Sequence, residues 1–154
     1  MINIKIPVPP HVRKYLIAKY GTEHTLTKTS FLGQLLFMCL DEQFRKEKDI
    51  EDTASFSVGI PSKYFNEGRY SAGADTLKMI GTCFEKLFKE EFHAYVEKEV
   101  KNQREAMESV RFFMQAHEIT EDDIKLETLY KSYQRYALGD TRKAKKSTLK
   151  KDTN

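Results

Sequence analysis

The side chains best suited to chemistry in this sequence are polar and basic rather than catalytic. Asn3 and Lys5 alternate with Ile2, Ile4 and Ile6. This places an amide and an ammonium on the outward side of a half-buried strand. Lys28, Thr29 and Ser30 stand directly before an apolar run that opens at Phe31. Lys125, Lys131 and Arg135 recur along the second half, and Arg142, Lys143, Lys145 and Lys146 gather near the C-terminal end. Such cations neutralise phosphates and release bound counterions.

Enzyme chemistry finds no matching pattern. His11, His24, His93 and His117 show no metal-ligand spacing. Cys39 and Cys83 sit among apolar residues, which predicts buried, inert thiols. Two cysteines supply neither a disulfide framework nor a four-ligand zinc site. The glycines of Gly68-Arg69-Tyr70-Ser71-Ala72-Gly73 lack the lysine of a phosphate loop and read as a flexible connection. Glu121-Asp122-Asp123 falls at a predicted helix start, where the helix dipole accounts for the acids. The expectation is no enzymatic activity, no cofactor and no metal.

Charge is distributed unevenly. The net charge is +3 over 154 residues, but residues 141–154 alone carry +5 and the other 140 carry −2. Leu149 is the only large aliphatic of that last segment, which has no aromatic residue. It is expected to be a disordered basic tail, either gripping phosphates or merely solubilising. Leu, Ile, Val and Phe make up 24% of the chain, above the ~20% below which chains stay unfolded. The longest apolar run, Leu35 to Leu40, has six residues, far short of the ~20 of a membrane span. No secretory signal is visible at the start, so the expected location is cytoplasmic, with no membrane partner.

The elements that position these residues follow from periodicity. Ile2, Ile4, Ile6 and Val8 alternate as a strand, with Pro7 restricting it to an edge or a strand end. Pro9 and Pro10 open a helix that Gly21 stops. Thr27 caps a second helix, with Thr29 or Ser30 as alternatives; it ends near Phe44, and 45–52 is a charged connection. Phe56, Val58 and Ile60 form a second strand that Pro61 ends. Asp75 or Thr76 caps a long amphipathic helix through Leu77, Ile80, Phe84, Phe88, Phe92 and Val96. The pattern does not tell whether it continues through Met107, Val110 and Met114. A last helix starts at Thr120, with Asp123 completing a capping-box-like pair and Ile119 and Ile124 a staple, and Gly139 ends it.

The strand–helix pattern occurs twice. At a separation of 48, Leu32, Gly33, Leu36 and Leu40 match Ile80, Gly81, Phe84 and Phe88. At 52, Ile6, Val8 and Pro9 match Val58, Ile60 and Pro61. The units would be residues 2–45 and 55–100, and the matched glycines predict a tight helix–helix crossing. The bland reading is chance alignment of two amphipathic helices.

The order strand, proline, helix, glycine turn, helix over residues 2–45 resembles the ribbon-helix-helix family of DNA-binding proteins. It is carried by Ile2 to Pro9, Val12 to Gly21 and Thr27 to Leu32. The resemblance implies an antiparallel ribbon in the major groove, with Asn3 and Lys5 as readers and Lys28, Thr29 and Ser30 as a phosphate clamp. Ser55 and Ser57 would belong to a second ribbon strand in an intramolecular pseudo-dimer. The family's arginine-rich clamp is missing, Pro7 takes an outward strand position, and the second unit lacks an evident first helix.

The expected fold is mainly α, an α+β chain with two short strands and four or five helices. It comprises one α-rich domain over 1–140, with a C-terminal helical hairpin at 104–138, followed by the basic tail. Met107 to His117, a short turn and Thr120 to Leu138 make a helix-turn-helix candidate, presenting Lys125, Lys131 and Arg135. The expected function is that of a small DNA-binding accessory or regulatory protein, for instance in transcription, generally similar to those of bacterial mobile elements. The alternative is a helical protein-interaction module, as a homo-oligomer or with another partner.

Overall fold

The computed structural model describes residues 1–40, 54–68 and 71–151, with side chains described except at 66 and 140–151. The chain is mainly helical, with a small three-stranded sheet. It divides into two compact units, Met1–Phe88 and Lys89–Asn154.

The first unit opens with β1 (Ile2–Pro7), α1 (Pro10–Tyr20), β2 (His24–Thr25) and α2 (Phe31–Cys39). β3 (Ser55–Ile60), a 3₁₀ helix over Ser62–Glu67 and the start of α3 (Ala74–Lys101) follow. The strand order is β1-β3-β2, so β1 lies at an edge, as Pro7 requires. β1 and β3 are antiparallel, with Ile4 opposite Val58 and Lys5 opposite Ser57; β2 joins β3 in parallel. Ile4, Ile6, Phe56 and Val58 are buried, whereas Asn3, Lys5 and Ser57 are exposed. The period of two therefore gives one apolar and one solvent face. α1 packs against β3, and Phe84 of α3 meets Phe56 edge-on, with ring centres 6.3 Å apart.

Several expectations change. Of the three cap candidates, Ser30 rather than the first choice Thr27 caps α2: its Oγ accepts from the Gly33 N–H at 3.0 Å. Thr27 instead lends its backbone, because a Cβ at Gly33 would overlap the Thr27 carbonyl oxygen. A Cβ at Gly81 would overlap the Pro7 carbonyl oxygen. Both glycines thus admit a backbone carbonyl rather than a crossing helix. Cys83 is exposed and Cys39 half-buried, because the faces of α3 and α2 that carry them are not fully covered. α2 stops at Cys39, where Leu40 turns extended, and not near Phe44, which with the connection 45–52 lies outside the described residues.

The second unit holds the rest of α3, α4 (Ala106–Ala116) and α5 (Leu126–Lys151). α3 stops at Lys101 without glycine or proline: Gln103 takes a left-handed conformation (φ 65°), and Arg104 pairs with Glu99 at 3.0 Å. α4 packs on α5. The expected cap at Thr120 closes a turn, not a helix: Asp123 Oδ2 accepts from the Thr120 N–H at 2.8 Å. Glu121 Oε1 accepts from the Leu126 N–H at 3.1 Å, and the helix begins there. The acids are occupied by backbone donors one turn too early to start the helix. Residues 117–125 therefore form a longer connection than the three or four residues of a helix-turn-helix. α5 passes through Gly139 and continues to Lys151. One glycine costs only about 1 kcal/mol in a helix otherwise built of good formers.

These three glycines differ in what a methyl group would meet, and nothing lies within 4 Å of a Cβ at Gly139. Gly33→Ala and Gly81→Ala are expected to lower the unfolding free energy by about 1–3 kcal/mol, overpacking outweighing the gain in helix propensity. Gly139→Ala is expected to be neutral or stabilising by up to about 1 kcal/mol. Urea denaturation of the three variants checks the contrast.

Candidate nucleic-acid interface

The exposed face of the sheet collects the polar residues of β1 and β3. The register places Lys5 directly opposite Ser57, and Asn3 opposite Gly59. Gly59 has no side chain, so Asn3 and Met1 lie across it; a Cβ there would come within 3.2 Å of Asn3 Oδ1 and 2.8 Å of Met1 Sδ. Beside Asn3 is a hollow of about 340 Å³, reaching from Ser57 and Gly59 to Glu23, His24 and Thr25. At the opposite end of the ribbon, Arg13 Nε donates to the Ser55 carbonyl at 3.0 Å. Arg13 and Lys5 are both exposed, and Lys5 has no ion pair among the described residues.

The three clamp residues are brought together but already engaged. Ser30 Oγ is occupied by the Gly33 N–H, and Thr29 Oγ1 lies 3.4 Å from Thr27 Oγ1. Lys28 Nζ pairs with Glu67, 4.2 Å from the centre of the Phe37 ring and 5.3 Å from that of Tyr64. The Lys28 N–H also donates to the Tyr64 hydroxyl at 3.3 Å. A phosphate would have to compete with a carboxylate for this ammonium. Glu67 comes from the 3₁₀ helix of the second strand–helix unit, a partner 39 residues away that no local pattern signals.

The C-terminal cations are on a different unit. Lys125, Lys131 and Arg135 are exposed. Lys131 pairs with Glu127 at 2.7 Å, as the four-residue spacing predicts, and that bond holds the Glu127 carboxyl below its usual range. Lys125 precedes α5, and Glu121, four residues before it, accepts from the Leu126 N–H. Arg142, Lys143, Lys145 and Lys146 lie in the part of α5 whose side chains are outside the described residues.

A further polar cluster joins α3 to α5. His93 Nε2 lies 2.9 Å from Ser132 Oγ. The His93 ring stacks on Tyr136 with centroids 4.6 Å apart, and the Tyr136 hydroxyl donates to Glu97 Oε2 at 3.2 Å. The sequence places Ser132 on an outer polar face; the structure half-buries it. Burial, and then the Lys89 ammonium, push the His93 pKa below the ordinary 6.5. The imidazole is therefore mainly neutral at pH 7 and shares one hydrogen bond with the Ser132 hydroxyl, whose direction follows the ring tautomer. Among the described residues no group of three or more His, Cys, Asp or Glu is placed to hold a metal ion. No helix among them is long and apolar enough to cross a membrane.

No protein-family model, curated protein or solved structure matches the chain.

A histidine with a lowered native pKa makes stability fall on acidification. The unfolded chain takes up the proton first, so this contribution is complete above pH 6.5 and declines as pH drops towards the native value. Thermal midpoints of the native chain and of His93→Asn are expected to converge as pH is lowered through this range. Parallel curves would exclude His93 as a source of the dependence.

Proposed function

We propose that this protein binds duplex DNA through the exposed face of the β1–β3 ribbon and serves as a cytoplasmic accessory or regulatory protein, for instance in transcription. The single observation that carries this reading is the register: Lys5 stands opposite Ser57 with Asn3 on the same exposed face, while the alternate residues are buried. The β1–β3 pair has the form of a ribbon that enters the major groove, flanked by the two residues of β2 only at the Val58–Gly59 end of β3; in that groove an amide pairs with adenine and an ammonium with guanine. Burial of Ile4, Ile6, Phe56 and Val58 holds the readers on a rigid support. Backbone contacts at the ribbon end fall to Arg13, and the charge of residues 141–154 adds phosphate contacts of its own. Lys28, Thr29 and Ser30 act in positioning α2, since their polar groups have internal partners.

Another reading is favoured by Phe31 and Met38, which are 78% and 77% exposed seven residues apart on α2. An apolar stripe of this kind suits a protein partner or a second copy.

The test is fluorescence anisotropy of the full chain with labelled mixed-sequence duplexes at several salt concentrations. Binding is expected to weaken steeply with salt, by about 0.9 log units per log unit of salt for each phosphate neutralised. Lys5→Ala should weaken binding, and Arg13→Ala should reduce the slope by about 1. No binding at low salt, or binding unaffected by both substitutions and by Asn3→Ala, would contradict the reading and favour the protein-partner surface.

A further inference from the structure

The two halves of the first unit share more than a sequence pattern. Residues 31–40 and 79–88, aligned at the separation of 48, have the same burial at nine of ten positions. Leu32 and Ile80, Gly33 and Gly81, Leu36 and Phe84, and Leu40 and Phe88 are buried pairs. Phe31 and Met79 are exposed at matching places. Pro9 and Pro61 precede α1 and the 3₁₀ helix with nearly equal dihedrals, φ −60° and ψ 154° against φ −62° and ψ 145°. Each of these helices ends on a glycine with positive φ, Gly21 and Gly68. The 3₁₀ helix is thus the counterpart of α1 that the sequence pattern of residues 55–100 lacks.

The strand register completes the correspondence. At the separation of 52, the counterpart of Lys5 is Ser57, and the two are paired directly opposite each other. The counterpart of Asn3 is Ser55 and that of Pro7 is Gly59; Asn3 pairs with Gly59 and Pro7 with Ser55. A local two-fold axis through the Lys5–Ser57 pair therefore exchanges the strands. The symmetry is one of strand register, not of chemistry, and it does not extend to β2, which pairs with β3, or to the helix lengths, eleven residues against six. One half presents an amide and an ammonium, the other two hydroxyls. Serine contacts several bases with little discrimination, whereas asparagine and lysine prefer adenine and guanine.

We infer that a single chain, acting as both halves of a two-fold ribbon, reads a non-palindromic duplex site, with discrimination concentrated in the half that faces Asn3 and extending to Lys5 at the centre. This rests on the DNA-binding reading above. A palindromic site would require equal readers on both strands.

The experiment is repeated selection by the full chain from duplexes with a randomised core of about 20 bp, two helical turns, followed by base-pair substitution in the enriched site. The enriched site is expected to be non-palindromic and bound by one chain per duplex. Substitutions in one half should weaken binding roughly 5- to 150-fold each. Asn3→Ser and Lys5→Ser, both at exposed positions, should abolish those penalties and leave the other half's unchanged. A palindromic site, two chains per duplex, or equal loss of discrimination in both halves would overturn the inference. So would binding without enrichment of any sequence, which would leave DNA binding itself standing. Absence of all binding would instead remove the DNA-binding reading, and this inference with it.

Discussion

The antiparallel pairing of residues 2–7 with residues 55–60 is the constraint on which the first unit depends. It joins segments about fifty residues apart, so its loop-closure entropy must be offset by burial. Ile4, Ile6, Phe56, Val58 and Ile60 supply that burial on one face. Because side chains alternate, a slip of one residue would turn Lys5 and Asn3 into the core and Ile4 and Ile6 into water. The apolar face therefore fixes which polar residues meet solvent. The Gly81 approach to the Pro7 carbonyl ties α3 to the same strand, and Leu26, just beyond β2, donates its N–H to the Gly59 carbonyl at 2.9 Å.

Charge on this chain is sorted by partners rather than by totals. Lys28, Lys101, Arg104 and Lys131 each face a carboxylate of the same unit. Exposed pairs of this kind add about 0–1 kcal/mol to stability, but they reduce what a cation offers to a polyanion. Lys5, Arg13, Lys125 and Arg135 have no carboxylate partner among the described residues. The first two belong to the unit that carries the ribbon, which is why the proposed interface is centred there.

Strong local patterns were legible in the sequence. Strict alternation located β1 and β3, and the spacing of three and four located α3. The Glu127–Lys131 pair followed from its four-residue spacing. β2 has two residues, too few to show any period. The end of α3 depends on a left-handed Gln103, a conformation usually signalled by glycine. Thr120 and Asp123 carry the right chemistry for a cap, yet Glu121 moves the first helical donor to Leu126. At the candidate interface, Asn3 and Lys5 could be named from alternation, but their alignment with Gly59 and Ser57 could not. Likewise, the engagement of Lys28 by Glu67 and of His93 by Ser132 involves partners 39 residues apart. Such contacts are set by tertiary packing and leave no local trace.

The reading face depends most directly on Lys5 facing Ser57 within one chain. Directly opposed strand residues have Cα atoms about 4.5–5.5 Å apart, a separation a disulfide spans. With Cys39 and Cys83 replaced by serine, Lys5→Cys and Ser57→Cys should form an intramolecular disulfide on mild oxidation of dilute protein, with the chain remaining folded by circular dichroism. A folded protein that gives only crosslinks between chains, or none, would contradict the register and the reading face built on it.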